Sequence, residues 1–143
     1  MQRGRRIAFD YGDVRIGVAI SDPDSILASP LTTLTAGDRK LEKAIAEILA
    51  EHEPVAIYVG KPANMDGSLG VAVEKARTFI TMLTSLSSVP IVEIDERLST
   101  VTASRSLKHS GVNAKDAKKQ IDQLAAVAIL EFALAIEKNK NEI

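Results

Sequence analysis

Three short apolar runs occupy the first quarter of the chain, and each stops at residues that favour turns. Ile7-Ala8-Phe9 predicts a first strand and Ile16 to Ile20 a second. Only Tyr11-Gly12-Asp13-Val14 clearly separates them, a connection short enough to force the pair antiparallel. Asp22-Pro23-Asp24-Ser25 predicts the next turn. It leads into Ile26-Leu27-Ala28 and, past Pro30, into Leu31 to Thr35, a third strand that the proline assigns to an edge. The period then becomes helical through Leu41, Ile45, Ile48 and Leu49, with Asp38 near the start and Pro54 beyond the end. Val55 to Val59 is a continuous β-branched run of the kind found in buried parallel strands. Val71 to Leu86 reads as a second helix and Ile91 to Ile94 as a fifth strand. Ser99 can cap a short helix to about His109, and Asn113 a last helix that is apolar on nearly every face from Leu124 to Ile136. The order is β-β-β-α-β-α-β-α-α: an antiparallel meander, then two strands whose helical crossovers make parallel neighbours.

Composition narrows the class. A chain of 143 residues, 45% of them apolar, suits one α/β domain spanning 1–143. The absence of cysteine removes disulfides, thiolate metal sites and cysteine nucleophiles together. No apolar run approaches the roughly 18 residues that span a bilayer, and no leader-like segment opens the chain, so the expected location is the cytoplasm. The net charge of −1 does not announce a nucleic-acid binder, but its distribution is uneven. Between Arg97 and Lys119 the single acid is Asp116, against Arg97, Arg105, Lys108, Lys115, Lys118 and Lys119. Such a stretch is either a phosphate-facing surface or a solvated helix face.

Candidate chemistry lies in three acids. Asp10 ends the first strand, Glu96 follows the fifth, and Asp122 precedes the most apolar part of the last helix. In open sheets, ligands collect outside the carboxyl ends of parallel strands. If the first strand is central and parallel to the fourth and fifth, Asp10 and Glu96 share that rim, and the last helix must cross it to deliver Asp122. Read individually, Asp10 is equally a turn acid, Glu96 an ion-pair partner of Arg97 or Arg15, and Asp122 a helix first-turn acid. Clustered carboxylates stay ionised only beside cations, and oxygen ligands select Mg²⁺ or Mn²⁺. Two such ions roughly 3.5–4 Å apart would activate a water and hold the leaving oxygen of a phosphodiester.

The motifs that tie these positions together occur in order: Phe9-Asp10-Tyr11-Gly12, Arg15-Ile16-Gly17-Val18-Ala19, Val59-Gly60, Asp66-Gly67, Asp95-Glu96-Arg97-Leu98-Ser99-Thr100 and Asp122-Gln123. Together they closely resemble the YqgF (RuvX) family. The resemblance implies an RNase H-like fold, with a mixed five-stranded sheet in the order 3-2-1-4-5 flanked by helices. It implies a nuclease, with Asp10, Glu96 and Asp122 as catalytic and metal-ligating residues and Mg²⁺ or Mn²⁺, two ions, as cofactor. The implied substrate is the 5′ end of pre-16S rRNA, or branched DNA by likeness to the Holliday junction resolvase RuvC. One departure stands out: the family's Val-Gly-Leu-Pro is Val59-Gly60-Lys61-Pro62 here, which brings a cation to the rim.

Arg15, Lys61, Asn64, Arg97 and Thr100 are the candidate substrate contacts. The chain has only five aromatic residues, which argues against a platform of stacked bases and for binding through backbone charge and shape. Two other function classes share these features. One is a non-catalytic nucleic-acid-binding module of ribosome assembly, which would gain from losing its acids near phosphate. The other is an actin-like ATPase, for which the chain is too short to form the duplicated clamp. The expected assembly is a monomer for an RNA-end nuclease, or a two-fold homodimer for a resolvase on a symmetric junction.

Overall fold

The computed structural model describes residues 2–61, 69–95 and 114–141. Its elements are β1 (Arg6–Tyr11), β2 (Arg15–Ser21), β3 (Ala28–Thr35), α1 (Leu41–His52), β4 (Ala56–Lys61), α2 (Leu69–Leu86), β5 (Ile91–Asp95) and α3 (Ala114–Asn141). The short helix expected from Ser99 to His109 lies outside the described residues. The strands form one mixed sheet in the order β3-β2-β1-β4-β5. β1 pairs antiparallel with β2 and parallel with β4, and β4 pairs parallel with β5. This is the α/β architecture expected, with β1 at the centre.

The third strand begins later than the apolar run suggests. Ile26 and Leu27 lie outside β3, 71% and 66% exposed. Their backbone N–H groups both donate to Asp22 Oδ1, at 2.7 and 2.8 Å, so the turn acid captures the donors that a strand would have used. Pro30 does lie on an edge strand, opposite Ala19, where the β2–β3 register shifts.

Side chains of a strand alternate between faces, and here the two faces differ in size. Ile7 and Phe9 of β1, with Ile16, Val18 and Ile20 of β2, pack with Leu41, Ile45 and Leu49 of α1 and Phe79 and Leu83 of α2. The other face carries Ala8, Ala19 and Ala56, and it meets Ala126, Leu130 and Ala133 of α3. Small residues on both surfaces let the α3 backbone settle close to the sheet. Contact is tightest at Gly17, where an added Cβ would lie 1.9 Å from the backbone oxygen of Asp122.

Polar contacts at both ends also hold α3. Near Asp122, Gln123 Nε2 donates to Thr33 Oγ1 at 3.0 Å. Some fifteen residues on, about four turns along the helix, Glu137 meets Arg6, whose Nε stands 3.2 Å from Glu137 Oε2. Arg6 is the first residue of β1 and is buried; its guanidinium also donates to Ser25 Oγ at 2.6 Å. Tyr58 donates its hydroxyl to the same Glu137. Burial first, and then the carboxylate of Glu137, hold the Tyr58 phenol above its ordinary pKa, so it stays a donor. Among the described residues, no helix is long and apolar enough to cross a membrane.

The close approach at Gly17 generates a direct test. Gly17→Ala forces α3 off the sheet and should cost about 3 kcal/mol, by the scale of overpacking in a filled core. Urea denaturation should show a lower midpoint with an unchanged slope.

Candidate active site

Asp10 reaches the site by strand alternation. Ile7 and Phe9 face α1 and α2, so Ala8 and Asp10 face α3. Asp10 is the next-to-last residue of β1, opposite Gly17 on β2 and Gly60 on β4. Glycine on both sides leaves the carboxylate without neighbouring side chains in its own row of the sheet. Gly17 has a second effect, since its bare surface admits the α3 backbone at Asp122. The same residue therefore clears the space beside Asp10 and draws the second carboxylate towards it.

Asp122 lies in the third turn of α3, because the helix begins at Ala114. The alternative reading of it as a first-turn acid stabilised by the helix dipole therefore does not hold. Arg15, the first residue of β2, places Nε 2.6 Å from Asp122 Oδ2. That side chain, read from sequence as a substrate contact, thus engages the acid directly. Its side chain is about one-third exposed.

The two carboxylates are both partly buried but differ in their partners. Asp122 has a cation in hydrogen-bond contact, whereas Asp10 has none among the described residues. Burial pushes the Asp10 carboxyl up from its ordinary 3.8 to about 7, and the charge of Asp122 adds to the rise. A buried carboxylate disfavoured by a second one is a donor set that a hard divalent cation would complete, since it restores the ionised form. Among the described residues, no three acidic or histidine side chains gather as a complete metal site. Glu96, the expected third acid, lies outside the described residues, as do Asn64, Arg97 and Thr100. Lys61 is placed by its backbone at the end of β4, opposite Asp95.

Gly12 also has a role, but not the one its type suggests. It does not adopt a left-handed conformation; an added Cβ would meet the Arg15 carbonyl oxygen at 2.8 Å. Its N–H donates to that same oxygen at 3.0 Å, which closes the β1–β2 turn and sets Arg15 near the end of β1. Gly17 is the functional position that residue chemistry alone passes over. A lone glycine inside Ile16-Gly17-Val18 was the available signal, because such a glycine often marks a close backbone approach.

The raised carboxyl has a defined consequence for stability. Below about pH 3.8 both folded and unfolded chains hold the Asp10 proton. Between about 3.8 and 7 only the folded chain retains it, so stability falls as pH rises, and the full cost is present above 7. In metal-free buffer, Asp10→Asn should therefore be about 2–4 kcal/mol more stable than the wild type near pH 8, with no such difference near pH 4. Urea melts at the two pH values measure this.

Known proteins share the pattern of this chain. The family model described as "RuvX: Holliday junction resolvase" matches residues 4–136. A Streptomyces coelicolor protein named "Putative pre-16S rRNA nuclease" is 45% identical over 140 residues, which cover 96% of this chain and 84% of the relative. A Rhodococcus opacus protein of the same name is 47% identical over 135 residues, covering 90% of this chain and 76% of the relative. Among solved structures, Thermus thermophilus RuvC in complex with a Holliday junction substrate shares the fold. Its TM-score is 0.60 at 12% identity, over 94% of this chain and 96% of that one. The fowlpox virus Holliday junction resolvase aligns with a TM-score of 0.50 at 15% identity, over 96% and 99% of the two chains. With the family pattern running from residue 4 to residue 136, and with relatives this similar along nearly its whole length, the chain belongs to the RuvX family.

Proposed function

We propose that this protein is a divalent-metal-dependent endonuclease that hydrolyses phosphodiester bonds at the 5′ end of pre-16S rRNA. One observation carries the reading: α3, seated on Gly17, brings Asp122 to the carboxyl end of the central strand, beside Asp10. A purely structural pair of acids has no reason to be drawn together there, where ligands of open sheets bind. The names of the relatives support the choice of substrate class.

Asp10 and Asp122 would hold the ion, with Glu96 as a third ligand. When bound, Mg²⁺ or Mn²⁺ supplies charge that activates the attacking water and stabilises the leaving oxygen. Asp10 contributes a carboxylate held by a rigid central strand, so its position costs no reordering when substrate arrives. Arg15 orients Asp122 through Nε, and the remaining N–H groups of its guanidinium would serve the backbone phosphate. Lys61, Asn64, Arg97 and Thr100 are assigned to substrate binding on the strength of their sequence positions.

A second reading is a resolvase of branched DNA, favoured by the fold shared with RuvC. Purified protein offered precursor rRNA and a four-way DNA junction side by side, in millimolar Mg²⁺ or Mn²⁺, separates the two. Asp10→Asn should lower cleavage more than about a hundredfold, beyond the effect of removing a metal's outer-shell partner. Binding of the uncut substrate should remain. Undiminished cleavage by that variant rules out the assigned role of Asp10, and loss of cleavage on chelation with recovery on adding Mg²⁺ tests the cofactor. Wild-type protein that neither cleaves nor responds to the ions would favour the non-catalytic assembly module.

A further inference from the structure

The rim that carries Asp10 has a second feature, on the opposite face of the sheet. Tyr11 follows Asp10 in β1, with its Cα about 3.8 Å away and its side chain on the other side. There its ring stacks on Phe79 of α2, with centroids 4.8 Å apart and planes inclined by 17°. Phe9 supports Phe79 from below, edge-on at 5.5 Å. The Tyr11 ring, with Phe79 and Leu41, lines a cavity of about 400 Å³. That volume falls within the range of about 300–1,000 Å³ typical of small-ligand sites.

The elements around the cavity all meet at the same end of the sheet. Ala36 follows the end of β3 and bonds through its N–H to Val14 O in the β1–β2 turn. Leu41 opens α1, and Glu74 and Lys75 lie near the start of α2. Glu74, Lys75 and Thr78 supply the polar part of the lining. Lys75 Nζ stands 3.3 Å from Asp13 Oδ1, an exposed pair that water can readily replace. The cavity therefore lies on the α1–α2 side of the β1 tip, and the two acids lie on the α3 side.

We infer that this cavity is a nucleobase subsite: a base of the substrate strand stacks against Tyr11 while a neighbouring phosphate lies at Asp10 and Asp122. This inference rests on the nuclease reading given above. A single strand crossing the tip of β1 presents a phosphate to one face and a base to the other. Glu74 is an acceptor suited to the exocyclic amino group of a base, and Lys75 is suited to the strand's phosphates. Scarcity of aromatics argues against an extended stacking platform, but one ring backed by Phe79 suffices for one base.

The test uses the full chain carrying Asp10→Asn, in millimolar Mg²⁺ so that the strand is held but not cut, and short single-stranded RNAs that carry a fluorescent aminopurine at each position in turn. Stacking quenches the fluorophore. Quenching should peak at one position, persist in Tyr11→Phe, and weaken roughly five- to a hundredfold in affinity in Ala36→Trp, which fills the cavity. Thr78→Trp, at an exposed helix position, should obstruct the cavity in the same way without disturbing the core. Quenching at no position, or quenching equally strong in both tryptophan variants with unchanged thermal transitions, overturns the subsite. Quenching of the free aminopurine nucleotide with none in any strand also overturns it. Position-specific quenching, where the wild-type protein cleaves nothing in magnesium, leaves the pocket standing and removes only the nuclease reading.

Discussion

The contact between the α3 backbone and Gly17 is the constraint on which the site depends. A Cβ at that position would sit 1.9 Å from the Asp122 carbonyl oxygen, so the helix can take its place only over a bare backbone. Gly17 is also the cross-strand partner of Asp10. One missing side chain thus sets the height of the helix above the sheet and the separation of the two acids. Ala8, Ala19 and Ala56 on the sheet meet Ala126 and Ala133 on the helix in the same way, while larger residues, Tyr58, Ile94 and Leu130 among them, fill the remainder of that cluster. The opposite face is filled by isoleucine, valine and phenylalanine, which keep α1 and α2 further out and leave a cavity at the rim.

Electrostatics at the two ends of α3 complement this packing. At one end Arg6 is buried and is met by Glu137, Ser25 and the Glu137-bound Tyr58. Removing one partner from such a network would leave a buried charge unmatched, which costs more than the pair itself contributes. At the other end Arg15 matches Asp122 and, among the described residues, no cation pairs with Asp10. The first arrangement is closed and holds the helix in register. The second is open, and its excess negative charge is what makes it suited to a cation.

Much of the strand order was legible because local rules dictate it. The short turn at Tyr11 to Val14 forces an antiparallel pair, Pro30 belongs at an edge, and two helical crossovers make parallel strands. Asp10 and Glu96 were legible as residues at strand ends and Asp122 as a helix acid, and the motif around Asp95 to Thr100 linked them to a family. Less legible was anything set by contacts distant in sequence. Arg6, a charged residue at the start of the first strand, is buried, and Glu137, 131 positions away, compensates it. Ile26 and Leu27 looked like strand and are held outside it by Asp22. That Arg15, a candidate substrate contact, also binds an acid on α3 could not be read from the sequence.

By itself, then, the sequence determined the five strands and their order, the alternation that puts Asp10 and Tyr11 on opposite faces, and the family. Those are properties of neighbours along the chain, whose geometry is dictated by backbone sterics and by the period of apolar residues. The tertiary structure decided how close α3 lies, which arginine meets which acid, and where the Asp10 carboxyl titrates. It also decided that an aromatic-lined cavity opens beside the acids. Each of these depends on burial and on charges that only packing brings together, since desolvation and Coulomb interactions act through space and not along the chain.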